Sequence, residues 1–352
     1  MAAALFPLLP LADFMPGQEA DCFALLTAKE LLTTRDHKPY YKVTFRDARR
    51  EVSFPLWADS AFYANCRDHW QPGMHYKLRA TYKETAYGPQ LDIQKLRPVT
   101  DKDRQDGFDP WMCIPRSRFN SERMFAELCD LVREKVTTPA LRDLTLALLQ
   151  RHQTALLALP AATKNHHAYV GGFLEHVVSV TRTAVYLAEK YDAYYSELIP
   201  RLRVELVVAG AVLHDIGKLQ EIELTPQGAQ YTSAGALIGH MVQGRDLVRD
   251  AAVEFSLPAD LQLRLEHIIL SHQRLPEWGS PKPPMTPEAY LVHYADDIDA
   301  KMNMLAEALS NPAETGPLTS KKNRLFQQLY KGPGPDSGAA PDASLLDLPT
   351  VE

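Results

Sequence analysis

Two periodicities divide the chain. Between residues 17 and 100, apolar and aromatic positions alternate with polar ones in short runs set apart by turn residues. The runs are Asp21-Cys-Phe-Ala-Leu-Leu, Tyr40-Tyr-Lys-Val-Thr-Phe-Arg, Glu51-Val-Ser-Phe-Pro-Leu-Trp, His75-Tyr-Lys-Leu-Arg-Ala-Thr-Tyr and Gln90-Leu-Asp-Ile-Gln-Lys-Leu. Alternation of this kind predicts about five short strands, enough for a small barrel, with a helical insertion over Asp59 to His69. From Arg116 onward the apolar repeat lengthens to steps of three and four, as in Phe125, Leu128, Val132 and in Phe173, Val177, Val180, Ala184, Leu187, Tyr191. The same repeat runs through Leu261, Leu265, Ile268 and through Leu291, Ala295, Ile298, Met302, Leu305. Those are helices of a bundle.

The change of period sets the domain plan: an extension over 1–16, short and either ordered or frayed; a β-barrel domain over 17–100; and a charged, turn-rich linker over 101–115. An all-α domain follows over 116–330, and a Gly/Pro-rich tail over 331–352 reads as disordered. The tail's Leu345-Leu-Asp-Leu end suits either a docking segment or an unbound terminus. A length of 352 residues with 45% hydrophobic composition fits two domains with ordinary cores.

Charge and cysteine usage narrow the classes. A net charge of −6 argues against a non-specific duplex binder, which relies on a broad basic surface, but leaves room for a local basic groove. Cys22, Cys66, Cys113 and Cys129 form no close pair and no ligand spacing, as expected of reduced thiols in a cytoplasm. The amino terminus lacks the basic region of a signal peptide, and no run approaches the roughly 20 apolar residues of a spanning helix. A soluble protein without a membrane partner is expected, in an oligomeric state that the sequence leaves open.

The candidate chemistry centres on His214-Asp215, at the end of the apolar helical run Val204–Leu213. An imidazole and a carboxylate at that position need a partner, because burying them unpaired costs several kcal/mol, and a divalent cation would satisfy both. Further ligand types recur on other predicted helices: His176 beside the Phe173 stripe, His240 after Ala236-Leu-Ile-Gly, His272 continuing the Leu261 stripe, and Asp296 flanking the Leu291 stripe. Asp296 and Asp299 share a helix face, whereas Asp297 is turned away by about 100°; Asp296 is favoured over Asp299. Mixed imidazole and carboxylate ligands suit manganese first, with Fe, Co, Ni or Zn as alternatives.

The order His, then His-Asp, then a distant Asp over residues 161–310 resembles the HD superfamily of metal-dependent phosphohydrolases. More narrowly, Asn165-His-His-Ala-Tyr-Val-Gly-Gly-Phe-Leu-Glu-His176, His214-Asp-Ile-Gly-Lys218, Gly239-His240, Ser271-His272 and Asp296-Asp-Ile-Asp-Ala-Lys-Met-Asn resemble the bacterial 3′→5′ exoribonuclease family of the YhaM type. The resemblance implies His176, His214, Asp215 and Asp296 as ligands of a first metal, His240 and His272 as completing a second, and Lys218 as a phosphate contact. Asp215 and Lys218 would be the catalytic pair. Many relatives place a second His directly after the one matching His272, where this chain has Gln273, so the resemblance carries the first site further than the second.

The strand order and the helical insertion resemble an OB-fold, the module that precedes the helical domain in the same family. Such folds stack bases of single strands on exposed aromatics beside basic groups. Trp57 and Tyr87, near a strand end and in a turn, are the candidate platforms, while Tyr41 and Phe45 read as core. Lys42, Arg79, Lys83 and Lys95 are candidate phosphate contacts, and His166 and His167 suit either substrate phosphate or a capping role. The expectation is a metal-dependent 3′→5′ exonuclease acting on single-stranded RNA, with single-stranded DNA as a second substrate. The alternatives are a hydrolase or phosphodiesterase of small nucleotides with the same site, and a non-enzymatic single-strand binder with a structural metal.

Overall fold

The computed structural model describes residues 6–85, 88–311 and 316–333. All five expected strands form: β1 (Glu19–Thr33), β2 (Pro39–Arg46), β3 (Glu51–Trp57), β4 (His75–Thr85) and β5 (Gly88–Pro98). They make one antiparallel sheet in the order β3-β2-β1-β4-β5, with helix α1 (Tyr63–His69) between the third and fourth strands, the expected OB-like arrangement. The alternation seen in the sequence becomes inward and outward faces: Tyr41, Val43 and Phe45 are buried, as are Leu78, Ala80 and Tyr82. One expectation needs correcting. The sheet is not closed into a hydrogen-bonded barrel, since β3 and β5 face one another as its two edges without a ladder. Pro55 in β3 and Pro89 in β5 lack the N–H a ladder needs, which suits both strands to edge positions.

Residues 6–16 pack against the sheet: Leu11 and Phe14 enter its core, and the Arg50 guanidinium donates to the Leu11 and Phe14 carbonyls. Residues 101–115 are also firmly held. Asp103 is buried, bonded at 2.6 and 2.7 Å to Arg97 and capped by Thr100, and Cys113 and Ile114 are buried. The four cysteines are buried and unpaired.

The helical part comprises α2 (Ser121–Lys135), α3 (Pro139–Arg151), α4 (Gln153–Leu156), α5 (Gly172–Tyr194), α6 (Val204–Leu213) and α7 (Lys218–Glu221). It continues with α8 (Ser233–Ile238), α9 (His240–Glu254), α10 (Ala259–Ser271) and α11 (Pro287–Ser310). Every residue of α6 after Val204 is buried, and α2, α3, α5 and α10 pack around it. The apolar run is therefore the axis of the bundle. Its first turn is tied down by Glu205, whose carboxylate accepts from the backbone N–H and hydroxyl of both Thr137 and Thr138 and from Arg203. No sequence pattern announced the hairpin β6 (Ile222–Thr225) and β7 (Gly228–Tyr231), inserted between α7 and α8.

The chain divides into compact units at Ala300/Lys301. Within the second, an isolated bridge joins Leu318 to Tyr330 and Arg324 pairs with Glu307 at 2.8 Å. The predicted platform Tyr87 and the tail from 334 onward lie outside the described residues. Among the described residues, no helix is long and apolar enough to cross a membrane.

Candidate metal centre

His214 caps α6, and Asp215 follows in the turn that leads to α7. Gly217 makes this turn usable. A Cβ there would lie 1.9 Å from the His240 carbonyl oxygen, so only glycine lets the turn lie against the start of α9 and brings His240 beside Asp215. Gly172 does the same for α5, because its Cβ would lie 2.0 Å from the His167 carbonyl. Close backbone packing at two glycines thus brings the separate sequence motifs to one place.

The side chains converge on Asp215. His176 Nε2 and His214 Nε2 lie 3.6 and 3.4 Å from its Oδ2, and Asp296 Oδ1 lies 3.2 Å from His176 Nε2 and 3.8 Å from His214 Nε2. On the other side, Asp215 Oδ1 is 3.3 Å from His240 Nε2 and 3.5 Å from His272 Nε2. Donor atoms held at about 2.0–2.2 Å from one cation lie roughly 3.0–3.5 Å from one another; four of these six spacings fall in that range, and the other two, 3.6 and 3.8 Å, are slightly wider. All six sequence-predicted ligands are therefore gathered, with Asp215 shared between two groups.

The outer nitrogens show why this is more than proximity. His214 Nδ1 donates to the Ala211 carbonyl at 2.7 Å and His272 Nδ1 to that of Ile269 at 2.8 Å. His240 Nδ1 contacts Glu221 Oε1 at 2.9 Å, and His176 Nδ1 contacts Asp299 Oδ2 at 2.7 Å. With Nδ1 committed as a donor to a carbonyl in His214 and His272, each Nε2 there presents a lone pair inward, and Asp299 and Glu221 favour the same tautomer in the neutral form of His176 and His240, the one a metal requires. His176 Nε2, His214 Nε2, His272 Nε2 and Asp215 Oδ1 are buried without a hydrogen-bond partner. Four orphaned polar atoms gathered around Asp215 would be costly in a buried setting, and divalent cations held on its two sides would satisfy them. The residues fit the group.

Charge in the centre is balanced in the same way. Burial opposes ionisation of Asp215 and Asp296, but Lys218 and His214 beside the first, and His176 and His214 beside the second, outweigh it and hold both carboxyls well below the usual range. Lys218 Nζ donates to Asp215 Oδ2 at 2.5 Å, buried beside the oxygen that faces His176 and His214. Burial likewise opposes a charge on His176, yet Asp296 and Asp299 raise its pKa to about 9. In the metal-free centre His176 therefore carries a proton on Nε2 below that value, and metal binding must expel it. Calorimetric titration with manganese near neutrality, in two buffers of different ionisation enthalpy, should show about one proton released per ion. The apparent affinity should fall as the pH is lowered.

Asp299 sits outside the ring of Nε2 atoms, bonded to His176 Nδ1 and at 3.0 Å to His167 Nε2, so of the two candidate carboxylates Asp296 faces the cage. His167 also meets the Tyr169 hydroxyl at 2.8 Å. The His166 ring lies 5.0 Å from that of His176, and burial above all, then the charges of His176 and Lys218, lowers its pKa to about 3. Gln273 Nε2 lies 3.4 Å from His240 Nε2. Sequence reasoning missed Glu221, which also accepts from the His240 backbone N–H at 3.0 Å and caps α9; the two residues are 19 positions apart and no motif links them. The Ala236-Leu-Ile stretch is not core, since Leu237 and Ile238 are exposed. His240 points inward because of Gly217 and Glu221.

On the sheet, Trp57 is 48% exposed and its ring lies 4.9 Å from that of Tyr40, beside Lys42 on the outward face of β2 and β3. Arg79 is held bidentately by Asp21 at 2.7 and 2.9 Å, and Lys83 by Asp92 at 2.8 Å. Lys95 is exposed on β5.

Residues 173–301 match the HD domain family model. The 3′-5′ exoribonuclease YhaM of Bacillus subtilis (strain 168) is 31% identical over 322 residues, covering 88% of this chain and 95% of that protein. The solution structure of the second OB-fold domain of replication protein A from Methanococcus maripaludis aligns with 27% of this chain and 96% of its own, at 13% identity and a TM-score of 0.21. At that score the likeness adds nothing to the strand order itself. On the identity to YhaM and the matching HD domain, the chain belongs to the YhaM-type family of HD-domain proteins.

Proposed function

We propose that the chain is a metal-dependent exonuclease that removes nucleotides from the 3′ end of single-stranded RNA, with single-stranded DNA as a second substrate. The observation that carries this reading is the buried cage of orphaned Nε2 and carboxylate oxygen atoms around Asp215. The family relative named a 3′-5′ exoribonuclease supports the substrate and the direction. Manganese is the proposed ion, with His176, His214, Asp215 and Asp296 holding a first and Asp215, His240 and His272 a second. When bound, a divalent ion supplies a Lewis acid and lowers the pKa of bound water.

The chain's own residues do the rest. Lys218, buried on Asp215, brings a positive charge to where a phosphoryl oxygen would gather negative charge. His166 stays neutral near pH 7 and its buried Nε2 has no partner, which leaves it available to a substrate phosphate. Glu221 and Asp299 hold His240 and His176 in orientation. Trp57 and Tyr40, with Lys42 beside them, offer a stacking surface for bases. Four unpaired thiols support a cytoplasmic setting.

The test is dependence on substrate length. Measured kcat/KM should rise from dinucleotides to longer single strands and stay low on mononucleotide phosphoesters. Equal efficiency on free nucleotides would assign the same metal centre to small-nucleotide hydrolysis.

A further inference from the structure

A cavity with mixed polar and apolar walls lies where the sheet meets the helical part. It has a volume of about 310 Å³, room for roughly ten waters. Its walls come from β1 (Thr27), β2 (Arg46), the segment at Ile114-Pro115, the loop of Thr163, Lys164 and Tyr169, and the β6–β7 hairpin (Gln227). No Asp or Glu lines it, although the chain as a whole carries a net charge of −6.

Arg46 is the distinctive group. Its neighbours on the sheet are committed: Arg50 to carbonyls, Arg79 to Asp21, Arg97 to Asp103. The Arg46 Nε is buried with no hydrogen-bond partner, and no carboxylate lies within ion-pair distance of it among the described residues. The adjacent Asp47 is spent on the backbone N–H groups of Ala12, Arg49 and Arg50. Burial, the larger influence, disfavours the guanidinium charge, and Glu51 across the strand pair offsets this only at longer range. A half-buried guanidinium without an anion is costly, and its planar donors match phosphate oxygens. Lys164, exposed and also lining the cavity, adds a second cation without an ion pair among the described residues.

A chain of hydrogen bonds links one wall of the cavity to the metal centre. Tyr169 lines the cavity and bonds to His167, which bonds to Asp299, which bonds to His176. We propose that this cavity is an anion site in which Arg46 and Lys164 hold a phosphodiester group of the single strand as it passes between the sheet and the metal centre. The inference rests on the strand-cleaving reading and adds to it a fixed grip on the backbone away from the reacting bond. Free inorganic phosphate has the same chemistry, so the test separates the two.

The full-length chain is compared with Arg46→Gln, Lys164→Gln and the double variant. Binding of a labelled single-stranded RNA is measured without metal over a range of salt, alone and with inorganic phosphate as competitor. Hydrolysis of bis(p-nitrophenyl) phosphate with manganese is followed in parallel. The double variant should raise the Kd for RNA by about tenfold and flatten the dependence of log Kd on log salt by about 0.7, the value for one phosphate contact on a single strand. Lys164→Gln, at an exposed position, should show part of this loss without any folding defect, and all variants should hydrolyse the small ester at the wild-type rate. Wild-type Kd and salt slope in the double variant would overturn the cavity as a strand site while leaving the metal centre intact. Competition by millimolar inorganic phosphate that abolishes the difference between wild type and variant, with no length dependence, would assign the cavity to the free ion and overturn strand binding there. If wild type neither binds nor shortens RNA but turns over free nucleotides, the strand-cleaving reading fails and this inference with it.

Discussion

Asp215→Asn should abolish hydrolysis, with kcat lowered on the order of a thousandfold or more, while single-strand binding in metal-free buffer is kept. The reason is its position between the two groups: one carboxylate oxygen faces His176 and His214, the other faces His240 and His272. An amide of the same shape presents one neutral oxygen in place of two charged ones, so both groups lose their shared ligand. Removing even an outer-shell partner of a metal site costs about 10- to 100-fold, and a bridging ligand must cost more. Metal content by mass spectrometry and turnover of a small phosphodiester report the loss directly. Metal binding and turnover both retained in this variant would remove Asp215 from the centre.

The second large effect is expected at Gly217, which no chemical argument would single out. In Gly217→Ala the added methyl meets the His240 carbonyl at 1.9 Å and the Gly244 nitrogen at 2.5 Å, both backbone atoms that cannot rotate away. The turn and α9 must separate, at a cost of about 2–3 kcal/mol in stability. The shift also draws His240 away from Asp215 and from its partner Glu221. Chemical denaturation should show the stability loss, and manganese titration should show weaker binding in the part that stays folded. An unchanged midpoint of denaturation together with unchanged metal affinity would contradict the packing described here.

Much of this was legible in the sequence, for identifiable reasons. The five strands follow from alternating or aromatic-rich runs set apart by turn residues, and the burial of Tyr41 and Phe45 follows from their sharing a face with Val43. The candidate ligands could be read because imidazoles and carboxylates stood beside apolar stripes on separate helices. The carboxylate facing the cage is Asp296, and Asp299, one helical turn on, serves the far side of the same histidine. What escaped the sequence depends on contacts between distant segments. Glu221 orients His240 only because a turn closed by Gly217 brings them together. Tyr40 meets Trp57 in a tilted ring contact across a strand register that no single run reveals. The open edge between β3 and β5 depends on how far the sheet curls, which alternation does not encode.

The central claim, strand cleavage at a metal held by Asp215 and its histidines, is tested most directly by one assay. Metal-stripped protein is incubated with a 5′-labelled single-stranded RNA, with and without manganese, and the products are resolved by length. The account predicts a manganese-dependent ladder that shortens from the 3′ end. An RNA left intact while manganese is bound would contradict it.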